Sequence, residues 1–225
     1  MKNKINFVDW GHLEYGKAWK KQQTIFDQQI EKKQNGEATE NTLVFVEHPH
    51  VYTLGKHGDR TNMLVSDEML RQIDATYYHI DRGGDVTYHG PGQIVGYPIF
   101  DLENLKISYK EFIDRMEQGI MQYLKSEHQV DTFQLPKATG VWLETPQGQK
   151  KICAIGTRAS KYITMHGFAL NINSDLKYFE YINPCGFTDK GVTSLAQIKN
   201  THQNFEAEKQ KLKTYLFETF EAEKQ

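Results

Sequence analysis

Apolar positions recur along this chain with two periods, and each period predicts its own elements. Tyr15, Trp19, Phe26 and Ile30 fall at helical spacing among Lys and Gln, which predicts an amphipathic helix near residues 12–33. The polar stretch Lys32–Asn41 then reads as a linker. Thr42–Glu47 is a short β-branched and aromatic run, a strand that His48-Pro49-His50 closes. Ala75–Ile80 predicts a second strand and Gln93–Leu102 a third. Pro98 favours an edge or a bend for that third strand, because proline brings no N–H to a ladder. Ser108–Glu127 carries the clearest helical stripe, Ile113, Met116, Ile120 and Leu124, with Ser108 and Glu111 spaced as a capping box. Gly140–Glu144, Lys151–Arg158 and Tyr162–Ile172 read as consecutive strands. Phe205–Glu223 reads as a last helix with Leu212, Tyr215, Leu216 and Phe220 inward. Strands clustered centrally, with helices at the ends and between them, predict an α+β fold and not repeated βαβ units.

Composition narrows the classes. A chain of 225 residues, 38% hydrophobic and 12% aromatic, builds a sizeable core and is expected to form one domain over 1–225. Lys+Arg of 27 against Asp+Glu of 29 leaves −2, so no overall field draws nucleic acid or a membrane surface. The longest purely aliphatic or aromatic run is Leu43–Val46, far short of a bilayer span. The opening Met-Lys-Asn-Lys-Ile-Asn lacks the apolar segment of a secretory signal. Only Cys153 and Cys185 occur, which fits reduced thiols and a cytoplasmic protein.

Three segments could carry chemistry. Arg82-Gly-Gly-Asp-Val-Thr-Tyr-His-Gly-Pro-Gly-Gln93 crowds glycines beside Arg82, Asp85, Thr87, Tyr88 and His89. The plain reading is a tight hairpin loop; the other is backbone passing close to a ligand. It matches neither a phosphate loop nor a dinucleotide fingerprint. Lys151-Ile-Cys-Ala-Ile-Gly-Thr-Arg158 alternates like a strand, where a lysine is ordinarily a solvated charge. Pro184-Cys185-Gly186 places a thiol in a loop, where it can be exposed and fixed, whereas Cys153 inside an apolar strand reads as core. Lys151 and Cys153 are two apart and would share a strand face, so spacing alone leaves Cys153 open as the lysine's partner. A metal site on His48, His50 and His57 lacks supporting carboxylates or thiols, and Ser194 lacks a nucleophile elbow.

Taken together these segments resemble the octanoyl-acyl-carrier-protein:protein N-octanoyltransferases, the lipoate–protein ligase B family. The match runs from Glu47–Gly55 through Arg82–Pro98, Ala138-Thr-Gly-Val-Trp142, Lys151–Gly156 and His166–Asn171 to Pro184-Cys-Gly186 and Val192–Leu195, in that order. The resemblance implies a mixed sheet flanked by helices, similar to the catalytic domains of biotin and lipoate ligases. It implies transfer of an octanoyl or lipoyl group through a cysteine thioester, with Cys185 as nucleophile and Lys151 as its partner. The implied substrate-contacting residues are Arg82, Gly83, Gly84, Asp85, Val86, Thr87, Tyr88, His89, Ala154, Ile155, Gly156, Gly167, Phe168 and Ala169. It implies octanoyl-acyl carrier protein as donor, and lipoyl domains of 2-oxoacid dehydrogenase E2 subunits and the glycine cleavage H protein as acceptors. Neither a metal nor ATP is implied; the donor carries its own 4'-phosphopantetheine.

Three rival readings remain. An ATP-dependent ligase of the same fold would carry His-Asp-x-Gly-Asn where this chain has His89-Gly-Pro-Gly-Gln93, and would leave Pro184-Cys185-Gly186 unexplained. A transferase acting between lipoyl carriers and a non-catalytic acyl- or lipoyl-domain-binding module are the others. Because the carrier is acidic and this chain is not basic overall, docking needs a local patch, for which Lys150, Arg158 and Lys161 are the candidates.

Overall fold

The computed structural model describes residues 3–183 and 191–221. Its frame is a mixed eight-stranded sheet. Along it run β1 (Ile5–His12), β2 (Asn41–Glu47), β6 (Gln93–Ile99), β10 (Ile163–Asn171), β9 (Gly148–Ser160), β8 (Ala138–Thr145) and β7 (Phe133–Leu135). The two-residue β11 (Gly191–Val192) adds to β9 in parallel. A second sheet of three strands holds β3 (Val51–Leu54) between β4 (Thr76–His79) and β5 (Val86–His89). Among the described residues five α-helices complete the fold: α1 (Tyr15–Gln34), α2 (Asp67–Gln72), α3 (Tyr109–His128), α4 (Leu195–Lys199) and α5 (Phe205–Thr219).

The central strands of the large sheet, β2, β6 and β10, are buried on both faces, and side-chain alternation decides what meets what. On β2, Leu43 and Phe45 face α3 and α5, whereas Val44 and Val46 face α1. That two-sided burial is why Thr42–Glu47 reads as a continuous apolar run instead of an alternating one. The α3–α5 side forms the main core, where Phe112, Met116, Ile120 and Leu124 of α3 meet Leu212, Leu216 and Phe220 of the last helical segment. On the opposite side, Ala18 of α1 lies on Val95 and Ala169, and Phe26 on Ile99 and Met165.

The predicted helices stand, α1 and α3 close to their expected bounds and α5 ending at Thr219. Ser108 caps α3 by accepting from the Glu111 N–H at 3.1 Å. The Glu111 carboxylate is taken by Arg115 at 2.8 Å. Pro98 departs from expectation: it lies in an interior strand, paired with Leu43, between β2 and β10. It is accommodated because the β6–β10 ladder stops at Gly96–Phe168. Beyond that point the Thr164 hydroxyl donates to the Pro98 carbonyl at 2.7 Å in place of a backbone rung. The segment read as a hairpin loop is instead a bend over 81–85 that leads into β5, which turns through Gly90–Gly92 into β6.

Candidate active site

β9, β10 and the 82–87 segment enclose a cavity of about 520 Å³. Its walls include Arg82–Thr87, His89, Lys151, Ala154–Gly156 and Gly167–Ala169. Of the fourteen expected substrate-contacting residues only Tyr88 stands away from it. Tyr88 is fully buried in the small sheet, with its hydroxyl bonded to His50 at 2.8 Å. It belongs to the wall's support.

Glycines let this wall form. A Cβ on Gly55 would lie 2.2 Å from the Gly84 carbonyl, and one on Gly156 would lie 3.0 Å from the Gly83 carbonyl. The Gly83 N–H donates to the Thr157 carbonyl at 3.0 Å, tying the bend to β9. Arg82 is buried; its guanidinium donates to the Thr53 carbonyl at 2.7 Å and the Gly83 carbonyl at 3.0 Å. Asp85 accepts from the Val86 N–H at 2.7 Å and from the Asn62 side-chain amide at 2.6 Å.

Two histidines reach the cavity as neutral rings. Burial pushes His89 down to about 3, with the charges of His48 and Arg82 acting in the same direction. Its Nδ1 meets Gln93 Oε1 at 3.0 Å, which fixes the tautomer with Nε2 as an acceptor. Gln93 continues to Asn171 at 2.8 Å, and Asn171 to the Thr193 carbonyl at 3.0 Å. His166 is likewise lowered to about 3, by burial first and then by Arg82 and Arg158. It sits at φ +62°, and its Nε2 is 3.0 Å from Asp81, whose other oxygen pairs with Arg158.

Lys151 Nζ donates to the Thr139 carbonyl at 3.1 Å and lies 4.7 Å from the centre of the Trp142 ring. Cys153 does not join it in the cavity. The pairing of β8 with β9 slips between Val141 and Trp142, so Ile152 and Cys153 both enter the main core. Burial pushes the Cys153 thiol well up, against a smaller opposing pull from Lys151. A thiol so placed is inert. Cys185 and its Pro-Cys-Gly motif lie outside the described residues. The described flanks are anchored at two places: the Asn183 N–H donates to the Asn62 carbonyl at 2.8 Å, and Val192 pairs with Lys151.

Residues 14–218 match the family model of the lipoyl protein ligase A/B catalytic domain. The chain belongs to that family. An octanoyltransferase of Bacteroides thetaiotaomicron is 49% identical over 224 residues, spanning 99% of this chain and 98% of that protein. One from Bacteroides fragilis is 55% identical over 191 residues, 84% of this chain and 86% of its own length. Among solved structures, the bipartite lipoate protein ligase of Thermoplasma acidophilum superposes with a TM-score of 0.72. It covers 99% of this chain and 86% of its own at 13% identity, a likeness of fold alone. The mixed sheet with flanking helices expected from the sequence is therefore the lipoyl ligase A/B fold.

Several cavity residues of this lipoyl ligase A/B domain escaped the sequence reading. Tyr15 stacks on His89 from α1, Tyr97 rises from β6, and Tyr109 bonds Thr157 at 2.6 Å from the start of α3. Each comes from an element whose pattern signals only packing. Among the described residues no cluster of His, Cys, Asp or Glu could hold a metal ion. His48 instead bonds the Leu13 carbonyl and the Tyr97 hydroxyl, both at 2.7 Å, and burial lowers it to about 4. Ser194 caps α4. Arg158, a docking candidate, is ion-paired with Asp81 and lies 5.0 Å from the Phe26 ring centre. No helix among the described residues is long and apolar enough to cross a membrane.

Proposed function

We propose that this chain, acting as one catalytic domain over 1–225, moves an octanoyl group from an acyl carrier thioester to a lysine of a lipoyl domain, through a thioester on Cys185. The observation that carries the reading is Lys151. It lines a cavity walled by Val95, Ile113, Ile155 and Phe168, which suit an acyl chain. The strand that follows the Pro-Cys-Gly motif pairs beside it, with the Thr193 N–H donating to the Lys151 carbonyl at 3.0 Å.

The chemistry proceeds in two halves. A thiol near its free pKa of ~8.5 is mostly protonated at neutral pH, and a nearby ammonium favours the thiolate. The Cys185 thiolate attacks the octanoyl thioester carbonyl; the bond to the phosphopantetheine sulfur breaks, and that sulfur takes a proton from the Lys151 ammonium. Lys151, now neutral, accepts the proton of the incoming lysine amine as it attacks the Cys185 thioester, and the cysteine leaves as thiolate. Backbone N–H groups of the glycine-rich wall are the donors available to the oxyanion. One thioester replaces another, so neither ATP nor a metal enters. The donor is octanoyl-acyl carrier protein, the acceptors are lipoyl domains of 2-oxoacid dehydrogenase E2 subunits and the glycine cleavage H protein, and the setting is the cytoplasm.

Incubation with octanoyl-acyl carrier protein in the absence of ATP, followed by intact mass, tests this. An octanoyl adduct mapped by proteolysis to Cys185, lost in Cys185→Ser and kept in Cys153→Ser, is the expected result. An adduct on Cys153 overturns the nucleophile. Transfer that requires ATP makes the protein a ligase, and binding with neither adduct nor transfer makes it a non-catalytic acyl- or lipoyl-domain-binding module.

A further inference from the structure

The Ala138-Thr-Gly-Val-Trp142 segment has an arrangement that the mechanism above leaves unused. Glu117, on α3, is 5% exposed. Its Oε1 accepts from the Gly140 N–H at 2.7 Å, and its Oε2 from the Gln134 side-chain amide at 2.7 Å. The Gly140 N–H and the Thr139 carbonyl belong to one peptide group, and that carbonyl is the one that receives Lys151 Nζ at 3.1 Å. A single peptide plane thus lies between a buried carboxylate and the amine proposed as the base. Glycine is required there: Gly140 holds φ +128°, and a Cβ on it would lie 2.5 Å from the Cys153 carbonyl and 3.3 Å from Lys151 Cε.

We propose that Glu117 is a positioning residue for Lys151, acting through the Thr139–Gly140 peptide group. The inference rests on Lys151 being the base. A carboxylate on the N–H side polarises the peptide and strengthens its carbonyl as an acceptor, since bonds to ionised groups are roughly twice as strong as neutral ones. The Trp142 face bounds the amine on another side. An otherwise flexible lysine is then held at one place in the cavity. Other charged or titratable groups near this pair are Asp114 on α3, Lys137 in the β7–β8 turn and the buried Cys153 on β9. Sequence reasoning missed Glu117, although it sits on the same helical face as Ile113 and Ile120, where a charge is unexpected.

Glu117→Gln is the test. Its amide oxygen still accepts from Gly140, so the contact persists while the charge goes. Turnover of a small octanoyl thioester should fall about tenfold in kcat with KM for donor and acceptor within about twofold. The Gly140 amide proton, followed by NMR, should move upfield in Glu117→Gln, and should also respond to Lys151→Ala, because both partners share that peptide. Once Lys151 is alanine, adding Glu117→Gln should cost nothing more. Independent, multiplying losses, a Gly140 signal indifferent to Lys151→Ala, or full kcat in Glu117→Gln would overturn the inference. If Lys151→Ala itself keeps full turnover, the base reading fails and takes this inference with it. A dead Lys151→Ala beside a fully active Glu117→Gln removes the inference alone.

Discussion

Helix α3 buries one carboxylate against each of its halves, and the two are partnered differently. Near its C-terminal end, Glu208 of α5 accepts from the Tyr123 hydroxyl and from His128 at 2.7 Å, and pairs with Lys211 at 3.2 Å. Burial alone would raise Glu208, but these partners outweigh it and hold the carboxyl below its ordinary range. Earlier on the helix, Glu117's partners among the described residues are two N–H donors, Gly140 and Gln134, and there burial prevails and raises it. The first arrangement saturates its acid with cationic and hydroxyl partners and pins two helices together. The second leaves the acid's charge facing, across one peptide, the lysine of the cavity. The fold treats similar burial as fastening at one end and as positioning at the other.

Lys151→Ala should separate the two most sharply. Loss of a general base lowers acyl transfer about 100- to 1,000-fold, with the thermal midpoint hardly moved. Lys151→Arg should not restore transfer, because a guanidinium stays protonated. An arginine variant with substantial turnover would reduce Lys151 to a charge. Glu208→Gln should do the reverse, costing about 1–3 kcal/mol in urea unfolding while activity per folded molecule stays level. Falling kcat in that variant would erase the distinction between the two ends.

The pH dependence carries opposite signs. Glu208 is lowered in the fold, so its contribution is present above its unfolded value near 4.5 and is lost as pH falls through the folded pKa. Glu117 is raised, so its contribution is fullest below 4.5 and is lost as pH rises through its folded pKa. Unfolding series at acid and neutral pH should show Glu208→Gln flattening the acid-side decline and Glu117→Gln flattening the neutral-side one. Equal slopes in both would mean that the two acids are equivalent. The smallest effect is at the shared helix start, where Ser108→Ala removes the cap over Glu111 and should cost about 1 kcal/mol with catalysis intact.

Long periodic segments were legible in the sequence because packing and propensity agree there: α1, α3, α5, β2 and the run β8–β10. β3 and β5 were not: Val51–Leu54 follows directly on the His48-Pro49-His50 break, and Val86–His89 lies hidden in a glycine-rich motif. β1 escaped because its pairing with β2 joins residue 5 to residue 41, a contact that no local pattern announces. At the site, the motifs named the wall from 82 to 87 and the strands that face it. Tyr15, Tyr97, Tyr109 and Glu117 come from three elements far apart in the chain, and only their packing makes them neighbours.

The two-sided cover of β2, β6 and β10 has a consequence for how the molecule breathes. Their backbone amides are released to solvent only when α1 on one side and the α3–α5 layer on the other both part from the sheet. Such strands belong to the last unit to open, and their amide hydrogens exchange at rates near the limit set by global unfolding. The small sheet is different, with Thr76 and His79 of its outer strand β4 exposed. The cavity is therefore walled in part by β6 and β10, which belong to that last unit, and in part by β5 of the small sheet, which supplies Val86, Thr87 and His89.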